Sequence, residues 1–305
     1  MTQSYRVPCY RDSQLHIRNP LRMGRWQLFL LYTEVIGAEM KLFDRMVTET
    51  VRSGNEPLKL TYVGIYDGHL GQAIAYRTQT EVFCVSMGAL SQSYVEKVDL
   101  AEAGKYLTLR NFVHAVRELK ELDRADKKPD WVSVKASASF LLSEGLYDEM
   151  NRLLEEEAFT SPEKICFEFR RSIFTADREG VRRGLTDLKT IGFRTMIGNF
   201  ATDGFPITTL LDVPVDYVVL TPEVTALALD RNKEDVLPSL VRFLRSMNVQ
   251  TIAAGVQNDA EIKELNKMEC YGILPREDYK GRFALPLRVK GAYDCKDVVA
   301  TEEGI

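Results

Sequence analysis

Residues 58–83 read LKLTYVGIYDGHLGQAIAYRTQTEVF, and this stretch sets the expectation for the whole fold. Both of its ends are apolar runs rich in β-branched and aromatic residues, which is typical of strands. Between them, residues 67–71 contain an aspartate, a histidine and two glycines, and such a composition favours a tight turn. The sequence therefore predicts strands at 58–66 and 73–83 that pair antiparallel.

Downstream of this pair, helical and strand-like segments alternate. Helices are predicted at 109–122, 141–156, 176–190, 233–247 and 259–268, and strands at 131–137, 164–169, 194–200, 216–220, 250–254 and near Tyr271. Strands separated by helices of this length indicate βαβ units with parallel strands. Repetition of the unit along most of the chain favours an α/β fold, a closed (β/α)8 TIM-like barrel with one antiparallel strand, over an open sheet.

An N-terminal helical extension precedes the predicted barrel. Its apolar stripe consists of Ile36, Met40, Phe43, Val47 and Val51, which recur every three or four positions. This stripe either covers the bottom of the barrel or, together with the apolar residues of 26–31, docks a partner or a second copy. We therefore divide the chain into an arm and helix start at 1–38, a barrel at 39–288 and a tail at 289–305.

The composition is typical of a globular protein and argues against two classes of function. Of the 305 residues, 45% are hydrophobic and 28% charged, and the formal net charge of −4 provides no basic excess for binding nucleic acid. No apolar run is long enough to predict a membrane span, and the polar first 20 residues do not resemble a cleaved leader. The five scattered cysteines indicate reduced thiols, so we expect a cytoplasmic protein.

Several segments near the predicted strand ends form an ordered series of motifs. Residues 62–67 (YVGIYD), 74–82 (IAYRTQTEV), 132–137 (VSVKAS), 167–172 (FEFRRS), 198–203 (GNFATD) and 254–257 (AGVQ) correspond in order and spacing to YQPIVD, VGYEALLRW, LSVNLS, LEITES, DDFGTG and EGVE. Residues 214–216 (PVD) match unchanged. Through these motifs the chain resembles the EAL domain family over about residues 40–288.

The resemblance implies a metal-dependent reaction whose residues this chain has replaced. Active members of the family hydrolyse cyclic-di-GMP with two divalent cations, which require oxygen ligands. The positions that correspond to the metal ligands and the catalytic lysine hold Arg77, Lys135, Arg171, Gly198, Asn199, Val219 and Ala254. Three of these residues are cations and only Asn199 retains a side-chain oxygen. We therefore expect no metal, no cofactor and no phosphodiesterase activity.

Arg77, Lys135 and Arg171 are predicted to converge at the barrel mouth, and two interpretations stay open. The first is an anion pocket for a phosphate, a nucleotide or an acidic side chain of a partner. The second is that these cations neutralise neighbouring acids such as Glu168 and Asp216.

A chain that resembles the EAL domain but lacks its metal ligands and catalytic lysine favours a regulator that binds another protein. We expect such a regulator in bacterial cyclic-di-GMP-linked, motility or biofilm control. The alternative is a non-catalytic sensor that binds cyclic-di-GMP or another anionic ligand at the barrel mouth. Glu81 stands where the family has an arginine that contacts a ligand phosphate, which argues against cyclic-di-GMP itself. Family members also dimerise through the loop that corresponds to residues 201–206, and its altered sequence leaves a homodimer open.

Overall fold

The structure of the protein is a computed structural model that divides into two compact units, residues 1–42 and 43–305. It describes residues 37–38, 41–51, 53, 55, 57–84, 88–90, 99–124, 128–175, 177–201, 210–276, 279 and 289–290. Residues 37–38 and 41–51 are helical, and we call the stretch at 41–51 helix α1. Phe43 and Val47 of the predicted stripe are buried, whereas Ile36, Met40 and the apolar residues of 26–31 lie outside the described residues.

Within the described residues, ten strands belong to one sheet. They are β1 (Leu58–Tyr66), β2 (Ala73–Cys84), β3 (Gly88–Leu90), β4 (Val132–Lys135), β5 (Ile165–Phe169), β6 (Arg194–Phe200), β7 (Tyr217–Leu220), β8 (Gln250–Val256), β9 (Gly272–Pro275) and β10 (Val289–Lys290). Neighbouring strands follow the order β1–β9–β8–β7–β6–β5–β4–β2, and β2 pairs again with β1. Eight strands therefore close into a barrel, which confirms the predicted fold, and β3 and β10 extend it at β2 and β1.

Helices and short 3-10 turns connect the parallel strands. The helices are α2 (Glu102–Arg124), α3 (Ala138–Leu141), α4 (Leu146–Glu156), α5 (Arg178–Ile191), α6 (Pro222–Thr225), α7 (Val236–Ser246) and α8 (Asp259–Lys267). The single helix predicted at 141–156 is in fact α3 and α4, because Gly145 between them has a φ of 68° and ends the helical path. No helix among the described residues is long and apolar enough to cross a membrane.

The first two strands form the predicted antiparallel pair, with nine paired positions between β1 and β2. In the turn between them, the Asp67 carboxylate accepts the backbone N–H groups of His69 at 2.8 Å and Leu70 at 2.6 Å. The Asp67 N–H donates to the Gln72 carbonyl at 2.8 Å. An aspartate side chain that satisfies the backbone in this way stabilises a tight reversal. Strand β1 is therefore antiparallel to both of its barrel neighbours, β2 and β9.

Alternation of side chains along the strands separates two apolar clusters. The barrel interior contains Ile65, Ala75, Trp131, Cys166, Met196, Tyr217, Val219, Ile252 and Leu274. The larger cluster lies between the strands and the surrounding helices. At the amino ends of the strands, the Trp131 ring lies 5.0 Å from Tyr217 and 6.2 Å from Tyr271, measured between centroids. These aromatic rings fill that end of the barrel, so a site in the interior opens at the carboxyl ends.

Close packing between α5 and α3 generates a stability prediction. A Cβ atom on Gly184 would lie 2.3 Å from the backbone carbonyl oxygen of Leu141, so Gly184→Ala forces the two helices apart. We expect this substitution to lower the free energy of unfolding by about 1–3 kcal/mol, although alanine is the better helix former. Urea denaturation of the full chain measures the change.

Gly37→Ala is the matched control, because Gly37 is also helical and nothing lies within 4 Å of an added Cβ atom there. We expect this variant to be neutral or stabilised by up to about 1 kcal/mol. Equal stability of the two variants would contradict the close approach of α5 to α3.

Candidate functional site

Three charged side chains meet inside the barrel on β2, β4 and β5. They are Arg77, Lys135 and Glu168, and we call them the mouth cluster. On β5, Glu168 lies between the apolar Phe167 and Phe169, so the pleat of the strand directs these neighbours away from it. The register of β4 and β5 pairs Lys135 directly with Glu168. Adjacent parallel strands therefore bring together residues that are far apart in sequence.

The carboxylate of Glu168 is the centre of the mouth cluster. Arg77 donates from Nε to Oε2 at 2.9 Å and from Nη2 to Oε1 at 2.5 Å, which is a bidentate ion pair. Lys135 donates from Nζ to the same Oε1 atom. The Glu168 side chain is only 3% exposed, whereas Arg77 and Lys135 keep 20% and 30% of their side-chain surface accessible. The acid is thus enclosed and the two cations face the opening.

The pKa values in the cluster follow from burial and from these contacts. Burial alone would raise the pKa of Glu168, but the charges of Arg77 and Lys135 lower it to about 2. Burial, and then the charge of Arg77, lower the pKa of Lys135 to about 8, although Glu168 opposes the change. Burial would also lower the pKa of Arg77, and the Glu168 carboxylate more than offsets it. At neutral pH the cluster therefore carries two positive charges and one negative charge, a net charge of +1.

The neighbouring strand β6 contributes no side chain at this point. A Cβ atom on Gly198 would lie 2.5 Å from Oε1 of Glu168 and 3.4 Å from Nη2 of Arg77. The mouth cluster thus occupies the space that a side chain at position 198 requires. The glycine at position 198 and the ion pairs on β2, β4 and β5 are therefore sterically linked.

The remaining predicted site residues have different surroundings. Arg171 is exposed in the 3-10 turn Arg171–Thr175 that follows β5, and its inclusion in an anion pocket stays a prediction. Asn199 is exposed with a φ of 52°. Val219 is fully buried in the interior apolar cluster, and Ala254 is partly buried against it. Of the three predicted cations, the structure brings together Arg77 and Lys135.

Sequence reasoning named Glu168 only as a neighbouring acid and missed its central position. The alternation of β5 carried the signal, since Cys166 and Glu168 share one face of the strand and position 171 lies beyond its end. The other acid named from the sequence, Asp216, precedes β7 and lies at the amino ends of the strands. It accepts from Lys189 and from the backbone N–H of Thr195 at 2.9 Å.

The residues at the barrel mouth do not fit the pair of divalent cations that the resemblance implies. Both oxygens of Glu168 already accept from cations. Gly198, Val219 and Ala254 offer no side-chain oxygen. In the part of the chain that the structure describes, no group of three or more His, Cys, Asp or Glu residues could hold a metal ion. Mg²⁺ and similar ions need several oxygen ligands, so we derive no chemical step through a metal.

Removal of the central carboxylate is expected to destabilise the barrel. Glu168→Gln leaves Arg77 and Lys135 close together with no negative charge between them. Loss of one partner of a buried ion pair is strongly unfavourable, and partial solvation of the two cations moderates it, so we expect about 2–4 kcal/mol lower stability at neutral pH. Thermal and urea unfolding of the full chain test this.

Glu156→Gln is the control, because its exposed pair with Arg152 should contribute far less. The cost of Glu168→Gln should also depend on pH. Because the folded-state pKa of Glu168 lies below that of the unfolded chain, its stabilisation is present above about pH 4.5 and is lost as the pH falls toward 2. A difference between the wild type and Glu168→Gln that stays constant over this range would contradict the assignment.

Comparison with known proteins identifies a matching family and several relatives of this chain. A sequence model of the EAL domain matches residues 55–273. The biofilm architecture maintenance protein MbaA of Vibrio cholerae is 26% identical over 204 residues, which cover 66% of this chain and 25% of that protein. An uncharacterised protein of Azorhizobium caulinodans is 18% identical over 268 residues, which cover 85% of this chain and 36% of the relative. This chain thus spans about a quarter to a third of the length of these two relatives.

Solved structures show the same fold at low sequence identity. The FimX EAL domain from Pseudomonas aeruginosa, bound to cyclic-di-GMP, has a TM-score of 0.63 and 13% identity, and the match covers 79% of this chain and 98% of that one. An EAL domain protein from Listeria monocytogenes has a TM-score of 0.62 and 14% identity, with 86% and 97% covered. Because the family match extends over well more than half of the 305 residues, this chain belongs to the EAL domain family.

Proposed function

We propose that this protein is a non-hydrolysing EAL-domain regulator that acts in the cytoplasm by binding another protein. The observation that carries the proposal is the mouth cluster, in which the two ion pairs of Glu168 occupy the place where the family resemblance implies metals. The setting is cyclic-di-GMP-linked control of motility or biofilm formation. The name of the Vibrio cholerae relative, a biofilm architecture maintenance protein, supports that setting.

The charges at the barrel mouth oppose metal-assisted hydrolysis. That reaction requires cations that lower the pKa of a water molecule and neutralise the leaving oxygen. Two like unit charges about 4 Å apart repel by roughly 4 kcal/mol at an intermediate dielectric constant, and a divalent ion doubles this cost. Arg77 and Lys135 each impose such a repulsion, and the carboxylate of Glu168 is already neutralised by them. The cluster therefore has no unpaired negative charge with which to bind a metal ion.

Exposed apolar side chains near α7 support a role in protein contacts. Val236 and Phe243 are 49% and 38% exposed, and Leu229 at the end of the 3-10 turn Ala226–Leu229 is 44% exposed. Residues seven positions apart lie on the same face of a helix, so Val236 and Phe243 form one surface. Apolar groups grouped on a surface are typical of a contact with another molecule.

An assay of cyclic-di-GMP hydrolysis tests the first half of the proposal. Purified full-length chain with Mg²⁺ or Mn²⁺ should release no linear dinucleotide above the rate seen with metal alone. The physical reason is that the described residues of the barrel mouth include no carboxylate set that is available to hold the metals. Product that increases in proportion to the protein concentration and disappears with a chelator would refute the proposal.

Affinity purification from cells tests the second half. A partner should be recovered with the wild type and with Tyr147→Glu, a control at a residue that is 42% exposed on α4, and should be lost with Phe243→Glu. Reciprocal tagging of the partner should recover this chain, and the two purified proteins should associate. Failure to recover any partner across several growth conditions would count against an interaction role.

A further inference from the structure

The two cations of the mouth cluster have more hydrogen-bond donors than Glu168 uses. A guanidinium has five N–H groups and an ammonium has three. In the contacts made among the described residues, Glu168 takes the Nε/Nη2 edge of Arg77 and one N–H group of Lys135. The Nη1/Nη2 edge of Arg77 and two N–H groups of Lys135 are left over. Such an edge suits two oxygens of one anion.

We propose that the barrel mouth binds a small oxyanion, a carboxylate or a phosphate group, between the Nη1/Nη2 edge of Arg77 and the ammonium of Lys135. The 20% and 30% exposure of the two side chains gives such a group access from the solvent. Binding of an anion by these two cations does not depend on whether a partner protein exists.

The net positive charge of the mouth cluster favours the binding of an anion. Arg77 and Lys135 supply two positive charges and Glu168 one negative charge, so one positive charge is not compensated within the cluster. Arg170, just after β5, adds further positive potential at Lys135. In a partly desolvated barrel mouth such potentials are screened less than at a surface. An oxyanion would neutralise the excess and provide acceptors for the unused donors.

This site would respond to pH through Lys135. Its charged neighbours are Arg77 from β2, Glu168 from β5 and Arg170 after β5, and α2 presents the neutral Asn111, whose Nδ2 donates to the Lys135 carbonyl at 3.2 Å. The pKa of Lys135 is about 8 without a ligand. An anion binds the protonated form, so binding should weaken as the pH rises through and beyond this value.

Thermal unfolding of the full chain with methyl phosphate or acetate, at constant ionic strength, tests the site. At neutral pH the Tm of the wild type should rise with at least one of the two anions, and the anion that acts identifies the group. Lys135→Met should weaken the response at least about fivefold, since it removes a charge-assisted donor. Lys267→Met is the control, because Lys267 is 60% exposed in a pair with Glu264 and should leave the response unchanged.

Two further measurements separate binding from stability. In the wild type, the acting anion should slow acetylation of Lys135 relative to Lys267, as followed by mass spectrometry, and should lose its effect near pH 9.5. No Tm shift with either anion, an equal shift in Lys135→Met, or unprotected Lys135 would overturn the proposal.

Discussion

A carboxylate that is 3% exposed cannot stay ionised in a barrel interior unless cations compensate it, and this constraint on Glu168 organises the barrel mouth. Arg77 and Lys135 compensate the charge of Glu168, and their ion pairs link β2, β4 and β5 at the barrel mouth. The same carboxylate fills the space beside Gly198, so β6 contributes only backbone there. One acidic side chain on β5 thus contacts residues of β2 and β4 and limits the space at position 198 of β6.

The two ends of the barrel interior are held by different forces. At the amino ends, Trp131, Tyr217 and Tyr271 pack their rings together, and Arg194 donates to the Tyr217 hydroxyl at 2.5 Å. At the carboxyl ends, ion pairs replace aromatic packing. Chemistry in barrels of this kind is located at the carboxyl ends of the strands. The polar, partly open end of this barrel is therefore the end at which such chemistry is located.

The fold is shared with solved EAL structures at low sequence identity, because the residues that hold the fold together differ from those that would form a cation site. An apolar layer between strands and helices tolerates many substitutions that preserve volume and pattern, which is why 13–14% identity accompanies TM-scores of 0.62–0.63. A cation site tolerates few, because each ligand must present an oxygen. In this chain Arg77 and Lys135 place positive side chains at the barrel mouth, and the apolar Val219 and Ala254 lie in or against the interior cluster.

The sequence by itself determined the order of the barrel strands, both ends of β1 and β6, the reversal at Asp67 and the presence of two cations in predicted strands. Local periodicity and turn chemistry carry that information, and both act over a few residues. Only the tertiary structure decided which charges meet. Glu168 lies 91 residues from Arg77 and 33 from Lys135, and their contact depends on the register of adjacent strands and on which face of the pleat each side chain occupies. The same alternation made Glu168 the centre of the site, whereas Arg171 lies on the exposed turn beyond the end of β5.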